Sequence, residues 1–253
     1  MAENGSDLLV ETRGEGSSTI LLLHGGGVAG WMWEPLASRI ESSYRLVIPD
    51  LPGHDRSQGA AYRSHDATIE ILATVIEKDA STPVTVVGFS LGAQLAVLLA
   101  ARYPRLVQDV VIISAQAKPT PCPGATLALL RMAAPLARNE KFARLQAKEL
   151  FVPNELMDDY LRTSRSINAH TLVAAVGENL KFTVPPGWSA FPGRSLVMVG
   201  ERERVLMRKS AQLLAEAHSR SEIVVVESCG HGIPFQQPER LAVRLQEWLR
   251  GAG

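Results

Sequence analysis

Thr19–Leu23 and Leu46–Ile48 are apolar runs without polar alternation, and Val84–Val87, broken only by Thr85, reads the same way. Runs without polar alternation belong to strands covered on both faces, as in a parallel sheet. Further β-rich runs open the chain at Leu8–Val10 and recur at Asp109–Ser114, Ser195–Val199 and Ile223–Val226. Between them the period changes to that of a helix. Trp33–Ile40 has helical spacing, with Pro35 suited to a first turn. Thr68–Lys78 carries Ile69, Leu72, Val75 and Ile76 on one stripe. Leu91–Arg102 follows its strand at once and ends before Pro104. Met207–Ala217 and Pro238–Arg250 complete the helices of this part. Strands alternating with helices predict an α/β fold built on a doubly wound, mostly parallel sheet.

The alternation is interrupted once. Ala117–Gly124 carries three prolines and a glycine, and Ala125–Lys181 contains no run that reads as a buried strand. Three or four helices are predicted there, roughly over Thr126–Ala137, Glu140–Leu150, Asn154–Ser166 and Ala169–Leu180, before a second Pro/Gly-rich stretch at Val184–Gly193. The chain therefore divides into a core, residues 1–115 and 184–253, and an inserted helical cap, residues 116–183. An insertion that leaves a strand at its C-terminal end sits above the crevice where open α/β sheets bind ligands. No internal repeat or low-complexity tract is present.

Composition narrows the function. The 253 residues hold 26 Lys and Arg against 26 Asp and Glu, which removes the basic footprint of a general nucleic-acid binder. Hydrophobic residues make up 46%, enough for a packed core. Cys122 and Cys229 fit no metal-ligand spacing and no disulfide framework. The longest apolar stretch, Leu95–Ala101, falls far short of the roughly 20 residues of a membrane span. Met1–Asp7 lacks the basic-then-apolar pattern of a signal peptide, so a cytoplasmic protein without membrane contact is expected, as monomer or homodimer.

The chemistry concentrates at strand ends. Val84–Phe89 runs through Gly88-Phe89-Ser90-Leu91-Gly92 directly into a helix. A serine on such a sharp turn is lifted off the sheet toward the positive end of the helix. Its hydroxyl is a poor nucleophile until a base takes its proton. Of six histidines, His231 in Ser-Cys-Gly-His-Gly lies in a loop just beyond the last buried strand, the place from which a base would reach Ser90. His218, at a helix end, and His170, in the helical block, are expected to be solvated. An imidazole base needs a carboxylate to fix its tautomer. Glu201 and Glu203 both follow the strand Ser195–Val199, and spacing does not choose between them. His24-Gly25-Gly26-Gly27 ends an earlier strand with a glycine run, which lets backbone N–H groups approach a ligand oxygen closely, as an oxyanion hole requires.

The order Ser…acid…His, the glycine loop, the elbow around Ser90 and Asp50-Leu-Pro-Gly-His-Asp-Arg-Ser57 together resemble the α/β-hydrolase superfamily, in its small, single-domain, capped branch. The resemblance covers about 8–115 and 184–251. It implies Ser90 as nucleophile, Glu203 as the acid three residues after the glycine closing its strand, His231 as base, and the N–H groups of Gly26 and Leu91 as oxyanion donors. Where the family pattern has a glycine, this chain has Asp55, a residue that tolerates left-handed geometry. Trp31, Met32, Trp33 and Phe89, next to the two donors in sequence, are expected as walls of an apolar substrate pocket, with ordinary core packing the equal alternative. The implied activity is that of a cofactor-free, metal-free serine hydrolase acting on an ester, lactone or thioester of a small apolar molecule. Two alternatives stay open: a lyase, perhydrolase or cyclase of the same fold, and a small-molecule receptor that retains the triad.

Overall fold

The structure is a computed structural model that describes residues 8–80, 83–133, 136 and 139–251. Met1–Asp7, read above for targeting signals, lies outside the described residues, as do Ala134, Pro135 and Ala137 from the helix expected over Thr126–Ala137.

The apolar runs become the middle of a seven-stranded sheet. Its strands are β1 (Val10–Arg13), β2 (Thr19–Leu23), β3 (Arg45–Pro49), β4 (Val84–Phe89), β5 (Val107–Ile113), β6 (Arg194–Gly200) and β7 (Ser221–Val226), in the order β1-β3-β2-β4-β5-β6-β7. Among the described residues only the β1–β3 pair is antiparallel. β2 and β4 are buried at every position because helices cover both faces. The period of two sorts their side chains between the two cores: Leu21, Leu23, Val84 and Val86 to one, Ile20, Leu22, Val87 and Phe89 to the other.

One core is covered by α2 (His65–Asp79), α3 (Leu91–Arg102) and α8 (Val205–Glu216), the other by α1 (Glu34–Ile40) and α10 (Pro238–Arg250). Ser64 caps α2 by accepting from the Ala67 N–H at 3.1 Å, which starts that helix earlier than its apolar stripe suggests. Between β5 and β6 the chain forms α4 (Pro123–Ala133), α5 (Glu140–Glu149), α6 (Met157–Ser166) and α7 (Ala169–Lys181). A short helix α9 (Ile233–Gln236), absent from the sequence expectation, precedes α10.

The inserted helices share the cores. Ala143, Ala147, Leu156, Tyr160 and Leu161 join the α1/α10 side, and Ala175 and Phe182 join the α3 side. α6 is also tied to the loop after β3. Both oxygens of Asp55 accept from Arg162, at 3.1 Å from Nε and 2.8 Å from Nη2, and Asp55 is buried with φ +38°. Trp31 adds a second tie, its Nε1–H donating to Thr163 Oγ1 at 2.9 Å. Among the described residues no helix is long and apolar enough to cross a membrane.

Candidate active site

Ser90 stands between β4 and α3 with φ +52° and ψ −110°, a conformation non-glycine residues rarely hold. The flanking glycines are required by close approach of backbone, not by their own torsions. A Cβ on Gly88 would meet the Gly92 carbonyl oxygen at 2.3 Å, and one on Gly92 would meet the Leu23 oxygen at 2.2 Å. The Ser90 N–H donates to Ile113 O at 2.8 Å, which fastens the turn to the end of β5.

Two further strand ends converge on this turn. Gly200 closes β6, and a Cβ there would meet the Cys229 and Gly230 oxygens at 2.5 and 2.4 Å. The Arg202 N–H donates to Cys229 O at 2.8 Å, so the loop after β6 and the loop after β7 are held against each other. His231 Nε2 then lies 3.1 Å from Ser90 Oγ, and its Nδ1 lies 2.9 Å from Glu203 Oε2. A carboxylate only accepts, so Nδ1 carries the proton and Nε2 presents its lone pair to the serine. Glu203 is buried, and its other oxygen accepts from Ser114 Oγ at 2.6 Å and from the Gly200 N–H at 3.0 Å. Glu201 points elsewhere: it is exposed and accepts from the Ser228 N–H at 2.8 Å.

Ser114 was not singled out by the sequence. It has φ +56°, ends β5, and meets Glu203 across 89 positions. No local motif marks such a contact; only the parallel pairing of β5 with β6 brings the two together.

Gly26 and Leu91 are adjacent, since a Cβ on Gly26 would stand 3.8 Å from Leu91 Cδ2. The loop before Gly26 is fixed by His24. The Leu51 N–H donates to His24 Nε2 at 2.8 Å, so Nδ1 is protonated and donates to Gly25 O at 2.7 Å. Because the peptide is planar and trans, holding the Gly25 carbonyl also sets the direction of the Gly26 N–H. Burial drives the His24 pKa down to about 4 and that of neighbouring His54 to about 3, keeping both rings neutral. His170 is exposed, as expected. His218 is not: it is buried against Trp188 and Phe191, with Nε2–H donating to Phe191 O at 3.0 Å.

A cavity of about 520 Å³ opens over Ser90 and His231. Its lining differs from the expected apolar aromatic wall. Gln116, Asn179, Gln236, Glu149, Arg202 and Arg204 line it together with Phe151 and Met207. Met32 and Trp33 do not line it. The 3₁₀ turn over Gly30–Trp33 sends both into the α1/α10 core, where they are fully buried. Phe89 lies beneath the site, its ring centroid 5.1 Å from that of His231. Trp31 is turned to Phe235, Tyr160 and Thr163 rather than to the cavity. Among the described residues no group of three His, Cys, Asp or Glu side chains could hold a metal ion.

Residues 20–244 match the model of the alpha/beta hydrolase family. Over 113 residues the chain is 34% identical to the pimeloyl-[acyl-carrier protein] methyl ester esterase of Nitrosomonas europaea, covering 45% of this chain and 41% of that one. The chain thus spans about two fifths of the length of that curated relative. An esterase from Exiguobacterium antarcticum superposes with a TM-score of 0.85 at 20% identity, over 98% of this chain and 97% of the other. The enol-lactonase from Burkholderia xenovorans superposes with a TM-score of 0.80 at 16% identity, over 98% of both chains. At these identities the two superpositions establish the fold.

Proposed function

The chain belongs to the alpha/beta hydrolase family, and from that premise we propose that it is a serine hydrolase that cleaves an ester-like bond through an acyl-enzyme on Ser90. The observation that supports this reading best is the continuous contact from Ser90 Oγ through His231 to Glu203, at 3.1 and 2.9 Å. The named activities of the relatives, a methyl ester esterase and an enol-lactonase, favour an ester-like bond over other acyl bonds.

In the proposed reaction Ser90 Oγ attacks the substrate carbonyl as His231 Nε2 takes its proton. Glu203, held by Ser114 and the Gly200 N–H, orients the ring and stabilises the imidazolium. The N–H groups of Gly26 and Leu91 receive the oxyanion, the first aimed by the His24–Gly25 hydrogen bond. His231 then protonates the leaving group, and water repeats the sequence to release the acid. The scheme needs no cofactor. Residues 116–183 act as the cap that, with the loops after β6 and β7, encloses a small-molecule substrate.

A fluorophosphonate probe and a short p-nitrophenyl ester test the reading together. Stoichiometric labelling at Ser90, turnover of the ester, and loss of both in Ser90→Ala are expected. Slow binding of small molecules with neither labelling nor turnover would overturn it in favour of a receptor.

A further inference from the structure

Phe151 is held in a conformation that its own chemistry opposes. It follows α5 in a Schellman arrangement, with the Val152 N–H donating to Ala147 O at 2.9 Å and the Phe151 N–H to Lys148 O at 3.1 Å. The position between those bonds takes left-handed torsions and is usually glycine. Here φ is +61° on a bulky aromatic residue. The side chain is also 42% exposed, so burial does not offset the strain. Both features oppose stability, and strain of this kind gathers where a ligand is held.

The ring's surroundings say what it is for. Phe151 lines the cavity that holds Ser90 and His231. It lies on the two glycines that flank the histidine: a Cβ on Gly230 or on Gly232 would come within 3.0 Å of the Phe151 ring. Gly232 further needs its bare Cα because a Cβ would meet Leu150 O at 2.5 Å. The Gly-His-Gly sequence thus accommodates the end of α5 directly on the loop that carries the imidazole. Around it stand the polar and charged side chains of Gln116, Asn179, Gln236, Glu149, Arg202 and Arg204, with Met207 as a second large apolar side chain. A flat apolar face set among polar groups, beside the proposed nucleophile, is suited to stacking on a flat apolar part of a ligand.

We propose that Phe151 is a specificity-determining residue whose ring receives an aryl or similarly flat apolar group of the ester substrate. The inference rests on the hydrolase reading above for its substrate class, but not for its contact. Removing the ring should sacrifice selectivity without sacrificing stability, since glycine at this position relieves the left-handed strain.

The test uses Phe151→Gly and Phe151→Ala, the second removing the ring while keeping the strain. Melting temperature, kcat/KM for benzyl acetate and methyl acetate, and the rate of Ser90 labelling by a small methyl fluorophosphonate are measured for each. Phe151→Gly is expected to melt no lower than wild type and above Phe151→Ala. It should lose about tenfold or more of the benzyl-over-methyl preference, the labelling rate serving to separate that loss from a general decline of the site. A preference unchanged within about twofold would overturn the proposal. So would a fall in melting temperature with labelling and both esters declining in parallel, because the ring would then only pack the His231 loop. Calorimetry with 4-phenyl-2-butanone, the non-hydrolysable isostere of benzyl acetate, separates this inference from the hydrolase reading. If no ester turns over, binding to wild type that is lost in Phe151→Gly keeps the proposal and removes the hydrolase. Equal binding, or none to either protein, removes the proposal.

Discussion

Asp55 and Arg162 give an unequal pair of substitutions. The carboxylate is 5% exposed while the Arg162 side chain is 52% exposed and also pairs with Asp159. Arg162→Leu therefore strands a buried anion that loses both of its hydrogen bonds, whereas Asp55→Asn releases a cation that water and Asp159 already serve. Breaking a fully buried pair by removing one partner costs ~3–5 kcal/mol, and the solvent-facing guanidinium reduces this to about 2–3 kcal/mol here. Asn keeps the size of Asp and tolerates φ +38°, so Asp55→Asn should cost about 1 kcal/mol. For a chain of this size the two losses correspond to falls in melting temperature of about 4–12 °C and about 2–4 °C. Urea denaturation at neutral pH, checked for an unchanged m-value, measures both. Equal losses at neutral pH, or a larger loss for Asp55→Asn, would refute the reasoning that burial of the anion sets the cost.

The competition between the two glutamates is decided by activity: Glu203→Gln should lower kcat by ~10²–10⁴-fold and Glu201→Gln by less than about tenfold, the reverse order meaning that the loop after β6 is misassigned. Stability should fall in mild acid, because His24 and His54 are pressed below the usual 6.5, to about 4 and about 3, by burial. The unfolded chain binds protons that the folded chain refuses, so the contribution is complete above about pH 6.5 and is lost as the pH falls toward 4, at up to about 2.7 kcal/mol per pH unit for two rings. Urea midpoints that stay level from neutral pH down to about 5 would show that both rings are protonated in the folded state, and about half the slope that one is.

The sheet was legible because fully covered strands leave an unmistakable run, as in β2 and β4, which match their apolar stretches at nearly every residue. The edge strand was displaced, from Leu8–Val10 to Val10–Arg13, because a half-covered strand pairing only with β3 carries little apolar signal. Ser90, Glu203 and His231 could be nominated because each follows a strand end. Choosing Glu203 over Glu201 from the residues alone was impossible, since both follow β6 and only the turn closed by the Glu203 N–H to Gly200 O separates their directions. The sequence leaves pocket wall and core open for a chemical reason: an aromatic or thioether side chain looks alike in both, and Met32 and Trp33 belong to the core. His218 was misplaced because its cover, Trp188 and Phe191, returns from nearly 30 positions earlier in the chain. Ser114 and Phe151 are contacts between separate elements and leave no trace in local spacing.

The acyl-enzyme itself is the most direct measurement. Wild-type protein mixed with p-nitrophenyl butyrate and quenched in acid within the first turnovers is analysed by intact mass spectrometry and peptide mapping. A butyryl adduct on the peptide containing Ser90, forming with the burst of p-nitrophenol and decaying as turnover proceeds, is the expected result, and Ser90→Ala should show neither adduct nor burst. Steady ester hydrolysis with no adduct at Ser90, or a Ser90→Ala protein that keeps about a tenth or more of wild-type kcat, would contradict covalent catalysis by this serine.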